Sequence, residues 1–304
     1  MKVLLSLFYL GMALIAAPLM LGVINRTKAL FAGRAGQPLL QLYFDLWKLL
    51  HKGAVYSRTT TWVFRAGPIV GLASVLVVAA LTPFGGAQAL IGFPGDLILF
   101  AYLLGLLRFF TVLAALDTGS AFEGMGASRE VTFSALAEPA LLLGLAVVAR
   151  KTGSLSLSGM FSGEAVAAWA HAGPAVLLVA GALLIILLAE NARIPVDDPN
   201  THLELTMIHE VMVLDHGGPD FAFILYTSAV KLWVLGTLLI DVLLPVRTGF
   251  FALDGVIELA AMFGLAVAIG VIESSMARLR LVRVPQLLVA AGALAGLAMF
   301  LVLR

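Results

Sequence analysis

Eight mostly apolar stretches divide the chain, at about residues 3–24, 66–83, 97–116, 132–149, 173–189, 221–244, 255–275 and 285–303. A hydrocarbon layer about 30 Å thick is crossed by about 20 helical residues rising 1.5 Å each, so each stretch is long enough to span a bilayer. Hydrophobic residues make up 61% of the sequence and charged residues 12%, against about 25% charged in a soluble domain. Too little polar material is present to clothe a water-facing surface. The pattern predicts an all-α integral membrane protein of eight transmembrane helices. With no internal repeat and no dividing linker, residues 1–304 are expected to form a single polytopic domain. The first stretch runs to Ile24, longer than a secretory signal needs, and is expected to be a span.

Nineteen Lys and Arg face eighteen Asp and Glu, for a net charge of +1, so no global basic field points to nucleic acid. Cysteine is absent. Without thiols the chain cannot hold an iron–sulfur cluster through thiolates, a c-type haem or a disulfide, and electron chemistry is expected to belong to a partner. No metal site is expected: His202 and His209 are about 10 Å apart if on one helix, too far to share an ion.

Most Lys and Arg fall after spans one, three, five and seven, in segments of about 25–65, 117–131, 190–220 and 276–284. The positive-inside tendency assigns these loops to the cytoplasm and both termini to the other side. The first loop contains QPLLQLYFDLWKLLHKG, in which Gln41, Asp45, Lys48 and Lys52 recur on one helical face while Leu, Tyr and Trp fill the rest. That pattern predicts an amphipathic helix over about 38–52, lying in the membrane interface as a lipid anchor or as a ledge for a soluble partner.

The second inner loop carries Gly119, Gly124 and Gly126, which predict irregular backbone ahead of span four. Glu130 and Glu138, eight residues apart, stand about 12 Å apart along a helix axis with about 80° between them, so a proton relay could use that row. Glu130, beside Arg129, reads equally as a solvated acid near a helix start. In the third inner loop, Asp198, Pro199 and the Thr201–Glu204 spacing predict a short helix running to about Asp215. That helix would put Glu210 on a stripe with Leu203, Met207 and Leu214. Its histidines read first as surface or headgroup contacts and second as proton-handling groups. Glu190 and Arg193 have i, i+3 spacing suited to an ion pair, and Glu273 stands just ahead of Arg278, Arg280 and Arg283. Lys231 near the middle of span six is too costly to face lipid and is expected to face the bundle interior. Arg108, in the inner half of span three, could instead snorkel toward the cytoplasm. Asp241, Asp254 and Glu258 lie near the outer surface and read as ordinary solvated carboxylates.

Read together, GRAGQPLLQLYFDLWKLLHK, LDTGSAFEGMGASREVTFSALAEP and ENARIPVDDPNTHLELTMIHE resemble the inner loops of a membrane-protein family shared by respiratory complex I and its hydrogenase relatives. The resemblance is stronger to the hydrogenase branch, the formate hydrogenlyase subunit 4 and hydrogenase-4 component C type. It implies a subunit of the prokaryotic cytoplasmic (inner) membrane that anchors a peripheral arm. That arm's small and large hydrogenase subunits and iron–sulfur protein would hold the [NiFe] centre and iron–sulfur clusters, with no cofactor on this chain. Antiporter-like membrane subunits would lie alongside. The resemblance makes Glu130, Glu138, Glu190, Glu204 and Glu210 candidates for a polar path, with Glu273 on a weaker local match. Lys231 and Arg108 join that path on their cost within the membrane. Arg34, Gln41, Asp45, Lys48, Arg193, Asp197, Asp198, Arg278, Arg280 and Arg283 are candidate docking residues.

Two departures stand out. Where the quinone-reducing branch typically has Phe-Asp-Leu-Pro-Glu, this chain has Pro195-Val196-Asp197-Asp198-Pro199, and LDHGGPDFAF, with His216 and Asp220, differs from the usual hydrogenase wording. The first expectation is therefore a membrane-anchoring, ion-coupling subunit of a membrane-bound, complex I-like hydrogenase. The alternatives are a quinone-site subunit of an NADH or ferredoxin dehydrogenase and a stand-alone secondary transporter. Transporters often carry repeats around a midplane site, whereas the polar residues here crowd one side.

Overall fold

The computed structural model describes residues 2–161, 173–197, 207–245 and 247–304. Its long elements are α1 (Lys2–Phe31), α2 (Gln41–Leu50), α3 (Trp62–Leu81), α4 (Asp96–Asp117), α5 (Ala121–Thr152), α6 (Gly173–Glu190), α7 (Gly218–Leu243), α8 (Phe251–Ser275) and α9 (Val284–Leu303). Among the described residues, eight helices are long and apolar enough to cross a membrane, in the predicted order. The chain is a multi-pass, all-α membrane protein.

Helix α3 packs along α4, α5 along α6 and α9, and α1 along α7 and α8. Of the most apolar window of α7, 67% is buried, against 22% for the last span. Helix α7 is therefore the axis of the bundle, and α9 leaves most of its surface to lipid or to another subunit. Small residues permit the close crossings, as expected where apolar lipid supplies no hydrophobic drive for helices to associate. Gly270 of α8 is one: a Cβ there would lie 2.7 Å from Cβ of Thr27 and 3.0 Å from the carbonyl oxygen of Ile24, both on α1.

Helix α2 is shorter than the predicted 38–52, and none of its residues is buried. The Tyr43 hydroxyl donates to the Ile15 carbonyl of α1, while Trp47 projects outward. An exposed, amphipathic helix fixed at one edge to the bundle fits a position in the interface.

Two inner loops differ from expectation. The segment predicted as irregular over 117–131 is helical from Ala121, and α5, at 32 residues, is about 48 Å long. It outruns the hydrocarbon layer, and its first turns carry Glu123 and Glu130. Gly119, at φ +71°, does make the turn into it, but Gly124 and Gly126 lie inside the helix. Gly126 has a packing reason to lack a side chain, since a Cβ would lie 2.8 Å from the Ile208 carbonyl oxygen. The second difference lies in that facing segment, which from Met207 to Gly217 contains one 3-10 turn, Glu210–Val213, in place of an α-helix ending at Asp215. Asp198, Thr201, His202 and Glu204 lie outside the described residues.

Gly126→Val is expected to wedge the 207–213 segment away from α5. The cost is about 1–3 kcal/mol, the range for overpacking a filled contact, read as a lowered thermal midpoint of the detergent-solubilised protein.

Candidate functional site

One half of the bundle, the half predicted from sequence to face the cytoplasm, holds a row of charges contributed by four helices. Arg108 of α4 is buried. Its Nε donates to Glu130 Oε1 of α5 at 3.0 Å, Nη1 donates to Glu138 one helical row further along α5, and Nη2 to Glu190 at the end of α6. Lys231 of α7 meets the other Glu190 oxygen at 2.8 Å and donates to the Glu190 carbonyl at 2.7 Å. A carboxylate at a helix C-terminus opposes the helix dipole. The two cations offset that cost, and the lysine also caps an open carbonyl.

Lys231 faces the interior as predicted, and Glu190 is its counter-ion. Arg108 does not snorkel; it joins three carboxylates. Glu130, ten residues into α5 and buried, is not a solvated helix-start acid. Glu138 keeps a half-exposed side chain, 46% accessible, although it lies next to the buried guanidinium. The predicted Glu190–Arg193 pair does not form. Arg193 turns to Glu273 at 3.3 Å, and Lys28 holds the other Glu273 oxygen at 2.8 Å.

The row continues through a histidine read from sequence as a surface contact. His209 Nε2 lies 3.1 Å from Glu130 Oε2 and its Nδ1 lies 3.5 Å from Asp197 Oδ2. Both nitrogens are within ion-pair reach, though neither is aligned for a hydrogen bond. Burial alone would push the imidazole down, but the flanking carboxylates outweigh it and hold its pKa above the ordinary value. Burial would likewise raise Asp197, yet His209 and Arg278, the latter at 2.8 Å, hold it below the usual carboxylate range. An imidazole between two acids can pass a proton in either direction, one nitrogen receiving as the other releases. No local pattern announced it, because Glu130 and Asp197 stand far from His209 in sequence.

Beside the row opens a cavity of about 610 Å³. Its walls include Arg108, Glu130, Glu190, Lys231, His209 and Glu210, with Leu, Met, Phe and Pro elsewhere. Glu210 is half-buried at its rim. Glu123, which the sequence did not single out, is buried at the head of α5 and accepts from the Asp215 amide at 3.3 Å. Near the cavity mouth His216 stacks on Phe64, ring centres 3.9 Å apart and planes 7° from parallel. Burial lowers its pKa to about 4, with Asp220 and Asp215 opposing only in part. Asp220 accepts from the Tyr56 hydroxyl at 2.8 Å.

The docking candidates separate by exposure. Arg34, Lys48, Arg280 and Arg283 are exposed, and Gln41 and Asp45, half-buried, bond each other at 2.9 Å. Arg193 and Asp197 are buried in ion pairs within the chain, and Arg278 is engaged with Asp197. Asp198 and Glu204 are outside the described residues. At the opposite end, Asp241, Asp254 and Glu258 correct the expectation of solvated acids: all three are buried. Among the described residues no group of three potential ligands has metal-binding geometry.

Comparison with known proteins gives consistent matches. A family model described as NADH dehydrogenase matches residues 3–304. Formate hydrogenlyase subunit 4 of Escherichia coli (strain K12) is 32% identical over 279 residues, 89% of this chain and 89% of its own. Hydrogenase-4 component C of the same organism is 34% identical over 234 residues, 76% of this chain and 72% of its own. Among solved structures, a chain of the membrane-bound sulfane sulfur reductase, an archaeal respiratory membrane complex, superposes with a TM-score of 0.80. The two are 20% identical, and the match covers 98% of this chain and 99% of that one, so the fold is shared.

Arg108→Met would remove the cation shared by Glu130, Glu138 and Glu190 and is expected to cost about 3–5 kcal/mol, the penalty for breaking a buried pair from one side. Glu138→Gln, at a half-exposed position, should cost under about 1 kcal/mol. Thermal midpoints of the two variants check the contrast. His216 has a folded-state pKa below that of free imidazole, so its contribution to stability is complete above about pH 6.5 and is lost as pH falls toward 4. Acidification should therefore destabilise the protein, by up to about 3 kcal/mol from this group, and His216→Gln should flatten that part of the stability–pH curve.

Proposed function

The chain belongs to the NADH dehydrogenase family, and from that membership we propose that it is the membrane-anchoring, ion-coupling subunit of a complex I-like, membrane-bound nickel–iron hydrogenase of the formate hydrogenlyase type. The matched relatives are named as hydrogenase and formate hydrogenlyase components, and the shared fold occurs in a respiratory membrane complex. In this reading the small and large hydrogenase subunits and an iron–sulfur protein sit on the cytoplasmic face. Antiporter-like subunits lie alongside in a prokaryotic inner membrane, and both termini are on the outer side. The exposed Arg34, Lys48, Arg280 and Arg283 would meet acidic surface of the docked arm.

The observation that carries the reading is the Arg108 junction. A buried guanidinium shared by Glu130, Glu138 and Glu190, extended by Lys231 and His209, gathers proton-binding groups around one cation that itself stays protonated. These groups lead from the 207–213 segment beneath the arm to half-exposed Glu138 on the lateral surface. A change of charge in the arm would alter the preferred protonation of His209 and Glu130. The Arg108 contacts would then redistribute that change among Glu138 and Glu190, moving a proton, or a sodium ion in its place, toward a lateral partner.

A second reading draws on the cavity. At about 610 Å³, with apolar walls and a few convergent polar groups, it has the size and lining of a small-molecule site. A quinone headgroup there would make the chain a quinone-site subunit of an NADH or ferredoxin dehydrogenase.

Purifying the complex through a tag on this chain separates the two. Co-purified nickel with hydrogen evolution supports the first reading, and quinone-dependent turnover without nickel supports the second. Within the hydrogenase, Glu190→Gln and Lys231→Met are expected to reduce ion movement in proteoliposomes on the order of tenfold or more. Hydrogen evolution from an artificial electron donor should be nearly unchanged. Full ion coupling in both variants would overturn the relay.

A further inference from the structure

The outer end of the bundle contains a second charged cluster that the relay does not use. Asp241 of α7 and Asp254 and Glu258 of α8 are 2%, 3% and 3% exposed. Asp254 is satisfied by the Thr248 amide and hydroxyl, at 2.8 and 2.7 Å on Oδ1. Asp241 and Glu258 share Arg247: its Nη2 donates to Asp241 Oδ1 at 2.8 Å and its Nη1 to Glu258 Oε2 at 3.4 Å. Nη2 also reaches the Phe161 carbonyl at 3.4 Å. Gly85, held at φ +63° in the loop between α3 and α4, donates its amide to the same Glu258 oxygen at 2.8 Å. From α1 the one titratable side chain facing the cluster, among the described residues, is Tyr9, whose hydroxyl donates to the Phe251 carbonyl.

Two oxygens remain. Asp241 Oδ2 and Glu258 Oε1 are buried and have no hydrogen-bond partner among the described residues. The neighbouring sequence 162–172 contains Glu164 and His171 and no Lys or Arg. Two carboxylates sharing one guanidinium leave a net charge of −1 where water is excluded, and each keeps an acceptor with nothing to accept. Both are costly conditions. One proton brings Asp241, Arg247 and Glu258 to neutrality and turns one of the stranded acceptors into a donor.

We propose that Asp241 and Glu258 hold one exchangeable proton between them, forming a proton-binding site at the face of the bundle opposite the Arg108 row. A proton fits better than a metal ion, since two free oxygens fall short of the six or more oxygen ligands that hard cations collect. A void of about 20 Å³, one helical turn along α7 from Asp241, is lined by Ser6, Tyr9, Trp233 and Thr237 and is large enough for one water molecule. Trp233, Thr237 and Asp241 follow each other at i, i+4 and i+8 on one face of α7, and the Trp233 indole N–H, buried and unpaired, is available to hold that water.

The test is infrared difference spectroscopy on the membrane complex purified by a tag on this chain, stepped from mildly acidic to alkaline buffer in H₂O and D₂O. A protonated-carboxyl C=O band that shifts in D₂O should be present in the native protein at neutral pH. It should disappear in both Glu258→Gln and Asp241→Asn, and persist in Asp254→Asn. Should Asp241→Asn fail to assemble, the Glu258→Gln spectrum decides alone. A native spectrum without such a band, or one unchanged by Glu258→Gln, overturns the proposal. So does loss of the band when sodium replaces potassium at constant pH, which would assign the site to a metal cation.

Discussion

A guanidinium cannot be left unpaired inside a bundle from which water is excluded, and this requirement on Arg108 organises the inner half of the protein. Its three nitrogens are directed to Glu130 and Glu138 on α5 and to Glu190 on α6, which ties three helices together. Lys231, held by Glu190, ties the axial helix α7 to the same point. Buried ion pairs of this kind contribute little net stability, because desolvation cancels most of the attraction. They do penalise wrong arrangements heavily, since any register that separates a partner leaves a bare charge in an apolar setting. The arrangement is therefore better understood as specifying how the helices meet than as strengthening the bundle.

The same group has an uneven charge count. Arg108 and Lys231 supply two positive charges against the three carboxylates Glu130, Glu138 and Glu190. Neutrality then requires a proton on one acid or a charge on His209, which stands within reach of Glu130. The surplus falls on the Glu130–Glu138 side, because Glu190 holds Lys231 as well as its share of the guanidinium. Glu138 is where it can leave most easily, since that side chain is half-exposed on the helix that also carries Glu130. The apolar walls of the cavity beside the row keep the local dielectric low, so a change of charge at its rim is felt strongly by the acids lining it.

The spans were legible from apolar length alone, and the interior placement of Lys231 from the cost of an ammonium at mid-membrane. The pairings were not. Arg108 and Glu190 are 82 residues apart, and Lys231 and Glu190 are 41 apart, so no local spacing connects them. The nearest local pattern, Glu190 with Arg193, suggested a pair that the structure replaces with Arg193–Glu273. Glycines misled in α5: Gly124 and Gly126 look like loop residues, yet Gly126 is small because the 207–213 backbone presses against the helix there. His209 was hidden for a related reason, as its function comes from two acids brought in by other segments.

The outer acids show the complementary failure. Asp241, Asp254 and Glu258 sit where hydropathy declines, and position alone assigns them to solvent. The loop between α3 and α4 closes over two of them, its glycines at positive φ bringing the Gly85 amide onto Glu258 and Gly86 against Asp254. A hydropathy profile records where a helix ends, but it cannot record whether another segment covers that end. The result is a bundle with one arginine shared among acids at each end, Arg108 at one and Arg247 at the other. Lys231 and Asp241 place α7 in both groups, ten residues or about 15 Å of helix apart. Among the described residues helix α7 is the most enclosed span, so both groups are anchored to the helix with the most packing around it.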